Sequence, residues 1–203
     1  MCADRCQCRF GSASMADWLG ERRVEAAADR ILDAAETLFT RHGAANVAMN
    51  DVATAAGCSR ATLYRYFENR DALHTAYVHR EAHRVFRELG DRIAGIADPR
   101  ERLLEAVLAA LSSVRESASL ASWFVTTERP IGGEMADRSE VIEAMATSFL
   151  APLGVDDVEA RARWLVRVMI SLLTFPGRDP ADERRMLEEF VLPVVAGDDS
   201  RVR

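Results

Sequence analysis

The stretch DVATAAGCSRATLYRYF, from Asp51 to Phe67, decides the fold of this chain. Its first half carries apolar residues at helical spacing, namely Val52, Ala53 and Ala56. Gly57 follows them, and glycine adopts the left-handed backbone that ends a helix without a Cβ penalty. Ser59 is placed to cap a second helix by accepting a hydrogen bond from a free backbone N–H. The stretch therefore predicts two short helices joined by a tight turn, the form of a helix-turn-helix unit.

The second of these helices carries a polar and aromatic surface opposite its apolar side. Leu63 and Phe67 lie four residues apart and are expected to face the core. The positions left facing outward or sideways are Arg60, Ala61, Thr62, Tyr64, Arg65 and Tyr66. Arginine and tyrosine bind phosphates, and arginine or threonine reads base edges, so this surface favours contact with a DNA duplex. The alternative is an ordinary helical hairpin with a solvated face; a third helix start at Asn69, with Leu73 beginning its apolar side, favours the first interpretation.

Four motifs in order carry a resemblance to a known family. They are Phe39–Gly43 (FTRHG), Val52–Ser59 (VATAAGCS), Thr62–Phe67 (TLYRYF) and Arg70–Leu73 (RDAL). With these motifs at this spacing, residues 24 to about 90 resemble the N-terminal domain of the TetR-type (TetR/AcrR) transcriptional regulators. The resemblance implies an all-α protein with an N-terminal three-helix helix-turn-helix domain and a C-terminal helical domain for effector binding and dimerisation.

The resemblance also implies a function. Our leading hypothesis is a ligand-responsive repressor that binds a palindromic operator in double-stranded DNA as a homodimer, although activators use the same DNA-reading unit. A small-molecule effector, apolar or amphipathic, is expected to weaken DNA binding by favouring a second conformation. The DNA-contacting residues that the match implies are Asn50, Ser59, Arg60, Ala61, Thr62, Tyr64, Arg65, Tyr66 and Arg70.

The chain departs from the family pattern at three places. Val47-Ala48 stands where the family usually has Thr or Ser, so a hydroxyl that caps the next helix and touches phosphate is missing; Asn46 or Asn50 is a candidate substitute. Cys58 replaces the usual Val, one small apolar residue for another. Arg70 replaces the usual Lys and keeps a positive charge at a helix start that faces the DNA backbone in this family.

The charge of the chain is unevenly distributed. The net charge is −6, all 26 cationic side chains being arginine. Residues 21–70 hold seven Arg and seven acidic residues, whereas residues 71–203 hold 17 Arg and 23 acidic residues. Within residues 57–70 there are three Arg and one Glu, so the predicted DNA surface is locally positive. So small a basic surface predicts modest, salt-sensitive binding per subunit, for which dimerisation would compensate.

We divide the chain into residues 1–20, 21–70 and 71–203. Residues 1–20 are expected to be a disordered leader, and residues 1–14 an over-extended start, with the true start near Met15. Cys2, Cys6 and Cys8 lie in this leader without a partner His nearby, so no metal or redox site is predicted there. Residues 21–70 form the DNA-binding domain, and residues 71–203 the ligand-binding and dimerisation domain.

No segment alternates with period two, so we predict about nine helices and no strands. The first helix is expected from about Arg22 to His42, and a long helix follows Asn69. Residues 128–133, with one proline and two glycines, predict a loop, and a single helix follows it to about Leu150. Pro193 is expected to interrupt or kink the last helix.

Two sets of apolar residues are candidates for binding. The last two long helices carry wide apolar faces, which are either a buried core hairpin or, as the family resemblance favours, a dimer interface formed by Trp164, Val168, Leu172, Leu187, Phe190 and Val194. Residues 99–176 are expected to contain the effector pocket, with lining candidates Trp123, Phe124, Met145, Phe149 and Met169. Each of these five has the alternative of being an ordinary core residue.

Other functions find little support in the sequence. His79 and His83 share a helix face, with His74 a turn earlier, but no third ligand is evident beyond Glu81 and no His-Glu-x-x-His motif exists, so we predict no metal and no cofactor. No catalytic triad, phosphate-binding loop or dinucleotide motif is present, so no enzyme is predicted. No apolar run reaches the ~18 residues of a membrane span, and a cytoplasmic protein without membrane contact is expected.

Overall fold

The computed structural model describes residues 15–124 and 131–197, and all regular structure in these ranges is helical. The elements are α1 (Met15–His42), a 3-10 turn (Ala44–Asn46), α2 (Met49–Ala55), α3 (Arg60–Tyr66), α4 (Arg70–Ile93), α5 (Pro99–Glu116), α6 (Ala118–Ala121), α7 (Ile131–Asp137), α8 (Glu140–Leu150), a 3-10 turn (Ala151–Leu153), α9 (Val158–Thr174), α10 (Pro180–Met186), a π-helical turn (Leu187–Val191) and α11 (Leu192–Val195). The all-α prediction is confirmed. With α10 and α11 counted as one interrupted helix, the described ranges hold ten helices, against about nine predicted.

The N-terminal three helices enclose a small core. α1 packs against α2 and the 3-10 turn, and α2 packs against α3. The side chains that fill the space between them are fully buried, namely Ala35, Phe39, Val52 and Leu63. Leu73 and Tyr77 of α4 belong to the same core, so the long helix is anchored on this domain by its first two turns.

The first helix is longer than predicted. α1 begins at Met15 and not at about Arg22, so residues 15–20, which we assigned to the leader, are helical. Gly20 is the one glycine in this added part, and a glycine inside a helix costs only about 1 kcal/mol relative to alanine, which does not end it. Residues 1–14, with Cys2, Cys6 and Cys8, lie outside the described residues.

The helices α5, α8, α9 and α11, together with the π-helical turn, form a second core. α8 packs along α9, and α4 packs along α5. The central side chains are aliphatic and almost fully buried, and they include Leu103, Leu111, Leu150, Leu165 and Leu187. Asp98 and Asp179 cap α5 and α10 as their sequences indicate, each accepting a backbone hydrogen bond at 2.8 Å. Both helices have proline at the start, where a missing N–H is not needed.

A buried ion pair fixes the start of α10. The guanidinium of Arg115, at the end of α5, donates two hydrogen bonds to the carboxylate of Glu183, at 2.6 and 2.8 Å. The same guanidinium donates to the carbonyl of Leu172, and the N–H of Gly177 donates to Glu183. These bonds, the one from Arg115 above all, hold the pKa of Glu183 below its usual range. Three elements are thereby joined at the base of the last hairpin.

Two sequence predictions for the C-terminal part need correction. Gly132 and Gly133, predicted in a loop, lie in α7, and the single helix expected up to Leu150 is divided at Ser139 into α7 and α8. A Cβ on Gly132 would lie 2.9 Å from the Cβ of Trp123. Glycine is therefore required there for close packing, not for a turn. Residues 125–130 lie outside the described residues.

The predicted interruption at Pro193 takes a specific form. Proline has no N–H to donate, so the carbonyl four residues before it loses its helical partner. The preceding residues, Leu187–Val191, widen into a π-helical turn before α11 begins. Within this π-helical turn Phe190 is exposed, while Leu187 and Val191 are buried.

Candidate functional site

The helix-turn-helix unit has the geometry that its sequence predicts. Gly57 has φ of +65°, the left-handed conformation that favours glycine. The Oγ of Ser59 accepts the N–H of Thr62 at 3.1 Å and lies 2.9 Å from the hydroxyl of Thr62. Asn69 caps α4 in the same way, accepting the N–H of Ala72 at 2.8 Å. The starts of α3 and α4 are therefore fixed by local hydrogen bonds.

α3 exposes most of the residues predicted to contact DNA. Leu63 is fully buried and Phe67 nearly so, which leaves the opposite side of the helix to solvent. Ser59, Arg60, Ala61, Tyr64 and Arg65 are exposed, whereas Thr62 and Tyr66 are half-buried. The guanidinium of Arg65 lies 5.4 Å from the centre of the Tyr66 ring, a cation–π distance. This surface offers two guanidinium groups and two phenolic hydroxyls to a partner.

The start of α2 has no hydroxyl cap, and a carboxylate bonds to the cap residue instead. Ala48 occupies the cap position, and the carboxylate of Asp51 accepts its N–H at 3.2 Å. Neither candidate substitute caps the helix: the side chain of Asn46 donates to the carbonyl of His42 at the end of α1, and Asn50 lies exposed within the first turn. Asn50 is thus free to face DNA, while Asn46 is used inside the domain.

Arg70 departs from its predicted position. Its guanidinium donates hydrogen bonds to the carbonyls of Ala44 and Ala45, in the turn between α1 and α2. The side chain is half-buried, so it links the start of α4 to that turn. The Nη2 group of Arg70 is therefore engaged inside the domain, which argues against a contact of this group with the DNA backbone.

The second candidate site is an apolar cavity in the C-terminal domain. It has a volume of about 300 Å³ and lies between α4, α5, α8 and α9. Met145, Phe149 and Met169, three of the candidates for the effector pocket, lie on its wall. Phe86 of α4 packs edge-to-face on Phe149, with ring centres 6.3 Å apart. All side chains that the structure places on its wall are apolar, so the cavity offers shape and hydrophobic contact rather than charge.

Trp123 and Phe124, also predicted for the pocket, line a smaller neighbouring cavity of about 140 Å³ together with Met169. Trp123 is almost fully buried. Its ring stacks on Tyr77 at 5.7 Å and meets Phe39 of α1 edge-to-face at 5.4 Å. Trp123 thus touches both the cavity and the DNA-binding domain, a double role that the sequence does not indicate.

A second connection between the two domains is ionic, and sequence reasoning missed it. Arg80 of α4 donates to Asp33 at 2.7 Å and to Glu36 at 2.9 Å, both on α1. The Nε of Arg80 also lies 3.4 Å from Glu81, a buried carboxylate at the edge of the smaller cavity. The partners stand 44 and 47 residues away in the chain, so no local pattern reveals them.

The predicted dimer residues fall into two groups. Trp164, Phe190 and Val194 are exposed and Val168 is half-buried, as an interface requires. Leu172 and Leu187 are buried in the core of the protomer itself, so their assignment to the interface is wrong. Two further large apolar residues, Phe175 (76% exposed) and Met186, are exposed in the same part of the chain.

The three histidines of α4 have separate surroundings. His74 is buried against Phe39 and Trp123, and burial, followed by the nearby Arg70, lowers its pKa to about 4. The Nε2 of His79 lies 2.9 Å from the hydroxyl of Ser139, and burial lowers its pKa as well. In the described part of the chain no three His, Cys, Asp or Glu side chains are grouped to hold a metal ion.

Within residues 15–124 and 131–197, no helix is long and apolar enough to cross a membrane.

Comparison with known proteins places the chain among bacterial regulators. Residues 31–77 match the family model of bacterial regulatory proteins, tetR family. The chain is 61% identical over 182 residues to the uncharacterised HTH-type transcriptional regulator Rv1255c of Mycobacterium tuberculosis, which covers 88% of this chain and 90% of that protein.

Solved structures show the same fold. The TetR family repressor AlkX from Dietzia sp. strain DQ12-45-1b, implicated in biodegradation of n-alkanes, superposes with a TM-score of 0.59 at 26% identity, over 82% of this chain and 93% of that one. RolR in complex with resorcinol superposes with a TM-score of 0.66 at 18% identity, over 87% of this chain and 96% of that one.

Proposed function

Because the chain belongs to the TetR family of transcriptional regulators, we propose that it is a ligand-responsive repressor that binds a palindromic operator as a homodimer. The family consists of DNA-binding regulators and not of enzymes. The observation that carries the proposal is the combination, in one chain, of an exposed recognition helix and an apolar cavity joined by α4. The first serves DNA, and the second serves a small molecule.

The DNA-binding part of the proposal rests on α3. Arg60, Tyr64 and Arg65 are exposed on a helix whose start is capped by Ser59. Such a helix enters the major groove, where arginine pairs with guanine edges and tyrosine binds phosphate. We assign Thr62 and Asn50 a supporting contact each. Arg70 is not assigned one, because its guanidinium is engaged within the domain.

Dimerisation would supply the affinity that one small recognition helix lacks. Trp164, Phe175, Phe190 and Val194 are large apolar residues that remain exposed in the protomer, on or beside α9 and the last hairpin. Pairing this surface with its copy would form a bundle of four helices around a two-fold axis. The axis would place the two copies of α3 about one DNA turn apart, ~34–36 Å or somewhat more, so the operator is an inverted repeat.

The effector part of the proposal rests on the cavity. Its wall of aliphatic, aromatic and methionine side chains suits an apolar molecule or the apolar part of an amphipathic one. The structurally similar TetR family repressor AlkX is implicated in biodegradation of n-alkanes, which are apolar molecules. Binding would favour a conformer with the two recognition helices misplaced and so weaken operator binding.

A selection experiment tests the proposal without knowledge of the operator. The full chain is equilibrated with random double-stranded DNA, and bound fragments are amplified over several rounds and sequenced. We expect one enriched inverted repeat, bound by two protomers in sedimentation analysis. A Tyr64→Ala, Arg65→Ala variant serves as the control and should enrich no sequence. An enriched site without two-fold symmetry, bound by one protomer, would contradict the proposal.

A further inference from the structure

The two apolar cavities of the C-terminal domain share a boundary. One has a volume of about 300 Å³ and the other of about 140 Å³, and we call them the larger and the smaller chamber. Five residues line both chambers and so stand at the boundary between them, namely Ala82, Val85, Ile142, Val166 and Met169. A molecule that extends from one chamber into the other has to pass these residues.

Four of the five boundary residues are poorly suited to movement. Ala82 has no side chain beyond Cβ. Val85, Ile142 and Val166 lie in helices and are β-branched, and a valine or isoleucine in a helix has one strongly preferred χ1 rotamer. Val85 and Val166 are also buried. Widening the boundary at these four positions would therefore require movement of a helix.

Met169 of α9 differs from the other four in shape and surroundings. Its side chain is unbranched and has three rotatable bonds, so it adapts to irregular spaces. It is half-buried, and it packs against both hydrophobic cores of the protein. Because Met169 borders both chambers, a change of rotamer moves its side chain into free space and loses few contacts. Met169 is therefore the boundary residue whose side chain alone opens or closes the passage.

The volumes of the chambers set the chain length at which Met169 matters. A methylene group is about as large as a water molecule, whose share of the liquid is ~30 Å³, so the larger chamber has room for about ten chain atoms and the smaller for about five. A chain of about ten atoms fits in the larger chamber alone. A longer chain reaches the smaller chamber only by displacing the side chain of Met169.

The walls of both chambers favour a chain without charge. The described side chains of the larger chamber are all apolar, and the described wall of the smaller one adds a single charged group, Glu81. Its carboxylate accepts hydrogen bonds from Arg84 at 2.6 and 2.9 Å and lies 3.4 Å from the Nε of Arg80, so its charge is compensated. A charged ligand would have no free counter-charge on the described walls, and burial of an unpaired charge is costly.

We infer that Met169 is the residue that determines the length of the effector, and that the effector is an uncharged, unbranched chain. Chains of about ten atoms bind with Met169 in place, and each longer chain has to displace it. Because a single side chain opens the passage, the opening admits an unbranched chain. This inference rests on the proposed function, because it names the ligand class of the effector cavity and the residue that selects within it.

The test compares two uncharged ketones that differ only in length. Decan-2-one matches the larger chamber, whereas tridecan-2-one has three more carbons and has to enter the smaller one. Their affinities for the full chain are measured by competition against the neutral fluorophore N-phenyl-1-naphthylamine. The measured quantity is the length ratio, defined as the affinity for tridecan-2-one divided by the affinity for decan-2-one.

Two substitutions of Met169 should change the length ratio in opposite directions. Met169→Ala removes the obstacle, so we expect the ratio to rise about ten-fold. Met169→Ile keeps a similar volume but is stiff at χ1, so we expect the ratio to fall about ten-fold. Met145 lines the larger chamber only, so Met145→Ala and Met145→Ile are the matched controls and should leave the ratio unchanged.

A second measurement uses the wild-type protein. The chain has seven methionines, and the methyl carbon signal of Met169 is the one missing from the spectrum of Met169→Leu, a substitution that conserves volume. The chemical shift of this carbon depends on the side-chain rotamer. We expect it to change with tridecan-2-one and to stay with decan-2-one.

Two results would overturn the role of Met169 and leave the apolar cavity standing. One is an unchanged Met169 signal with tridecan-2-one bound, and the other is an unchanged length ratio in both Met169 variants. Failure of both ketones to displace the fluorophore would instead overturn the effector cavity itself.

Discussion

Arg80 of α4 donates a hydrogen bond to Glu36 of α1 across 2.9 Å. The same guanidinium bonds to Asp33, one turn earlier on α1, and its Nε approaches Glu81 at the smaller apolar cavity. One side chain therefore contacts both the helix that supports the DNA-reading unit and a residue that borders the proposed ligand site. Together with the contact of Trp123 on Phe39, it provides a physical route between the two sites.

Removing this connection should uncouple the sites without removing either. We expect Arg80→Gln to preserve operator binding and ligand binding, and to reduce the effect of decan-2-one on operator affinity by about 2- to 30-fold, or 0.5–2 kcal/mol of coupling. Fluorescence anisotropy of a labelled operator, with and without the ketone, measures this ratio. Arg87→Gln, an exposed arginine of the same helix, is the control. An unchanged ratio in Arg80→Gln would exclude Arg80 from the coupling.

Exposed residues of α3 should govern operator affinity but not stability. We expect Tyr64→Ala and Arg60→Ala each to weaken the operator complex by about 1–3 kcal/mol, because each removes a contact to base or phosphate. Thermal unfolding should be unchanged, since both side chains are exposed. Arg178→Ala, an exposed arginine far along the chain, serves as the control for charge. Wild-type affinity in both α3 variants would mean that another helix reads the DNA.

The exposed apolar surface of the last hairpin should govern the oligomeric state. Phe190 is 66% exposed, so a charge there should leave the protomer folded and prevent a copy from packing on it. We expect Phe190→Glu to sediment as a monomer, and Val24→Glu, with the same charge on an exposed residue of α1, to sediment as wild type. Leu187→Ala should instead lower the free energy of unfolding by about 2–5 kcal/mol, since Leu187 is core. If Phe190→Glu still sedimented as a dimer, the assignment of Phe190 to the dimer interface would be wrong.

Stability should fall in mild acid because of His74. Burial lowers its pKa to about 4, whereas the unfolded chain has the ordinary value of 6.5. Between these values the unfolded state binds a proton that the folded state does not, so the free energy of unfolding decreases as pH falls from 6.5 to 4, by about 3 kcal/mol in total. We expect His74→Phe to show a smaller loss over that window in denaturant titrations. His83→Phe, at an exposed histidine, should retain the full loss.

The sequence predicted the DNA-binding half well for physical reasons. Turns, caps and helix faces depend on residues a few positions apart, so Gly57, Ser59 and Asn69 could be read directly, and the structure confirms all three. The family assignment drawn from the same motifs is confirmed by the tetR family match and by the close relative Rv1255c. The length of α1 was underestimated because its first turns carry no strong apolar pattern.

The C-terminal half was harder because its decisive contacts join distant parts of the chain. An apolar helix face looks the same whether it packs on its own protomer or on a copy, so Leu172 and Leu187 could not be separated from Phe190 by periodicity. Phe190 lies in the π-helical turn before Pro193, and its exposure is known only from the structure. The pairing of Arg80 with Glu36 and the packing of Gly132 on Trp123 likewise require tertiary structure.

The most direct test of the central claim is whether filling the cavity abolishes the effect of a ligand on DNA binding. Ala146 of α8 lines the 300 Å³ cavity, whereas Ala144 of the same helix is exposed. Ala146→Phe therefore places a phenyl ring inside the cavity, and Ala144→Phe places the same ring outside it. Operator affinity is measured by anisotropy with and without decan-2-one. We predict a loss of about 5- to 150-fold with the ketone in wild type and in Ala144→Phe, and no loss in Ala146→Phe. Equal losses in both variants, or no loss in the wild-type protein with the ketone bound, would contradict the account.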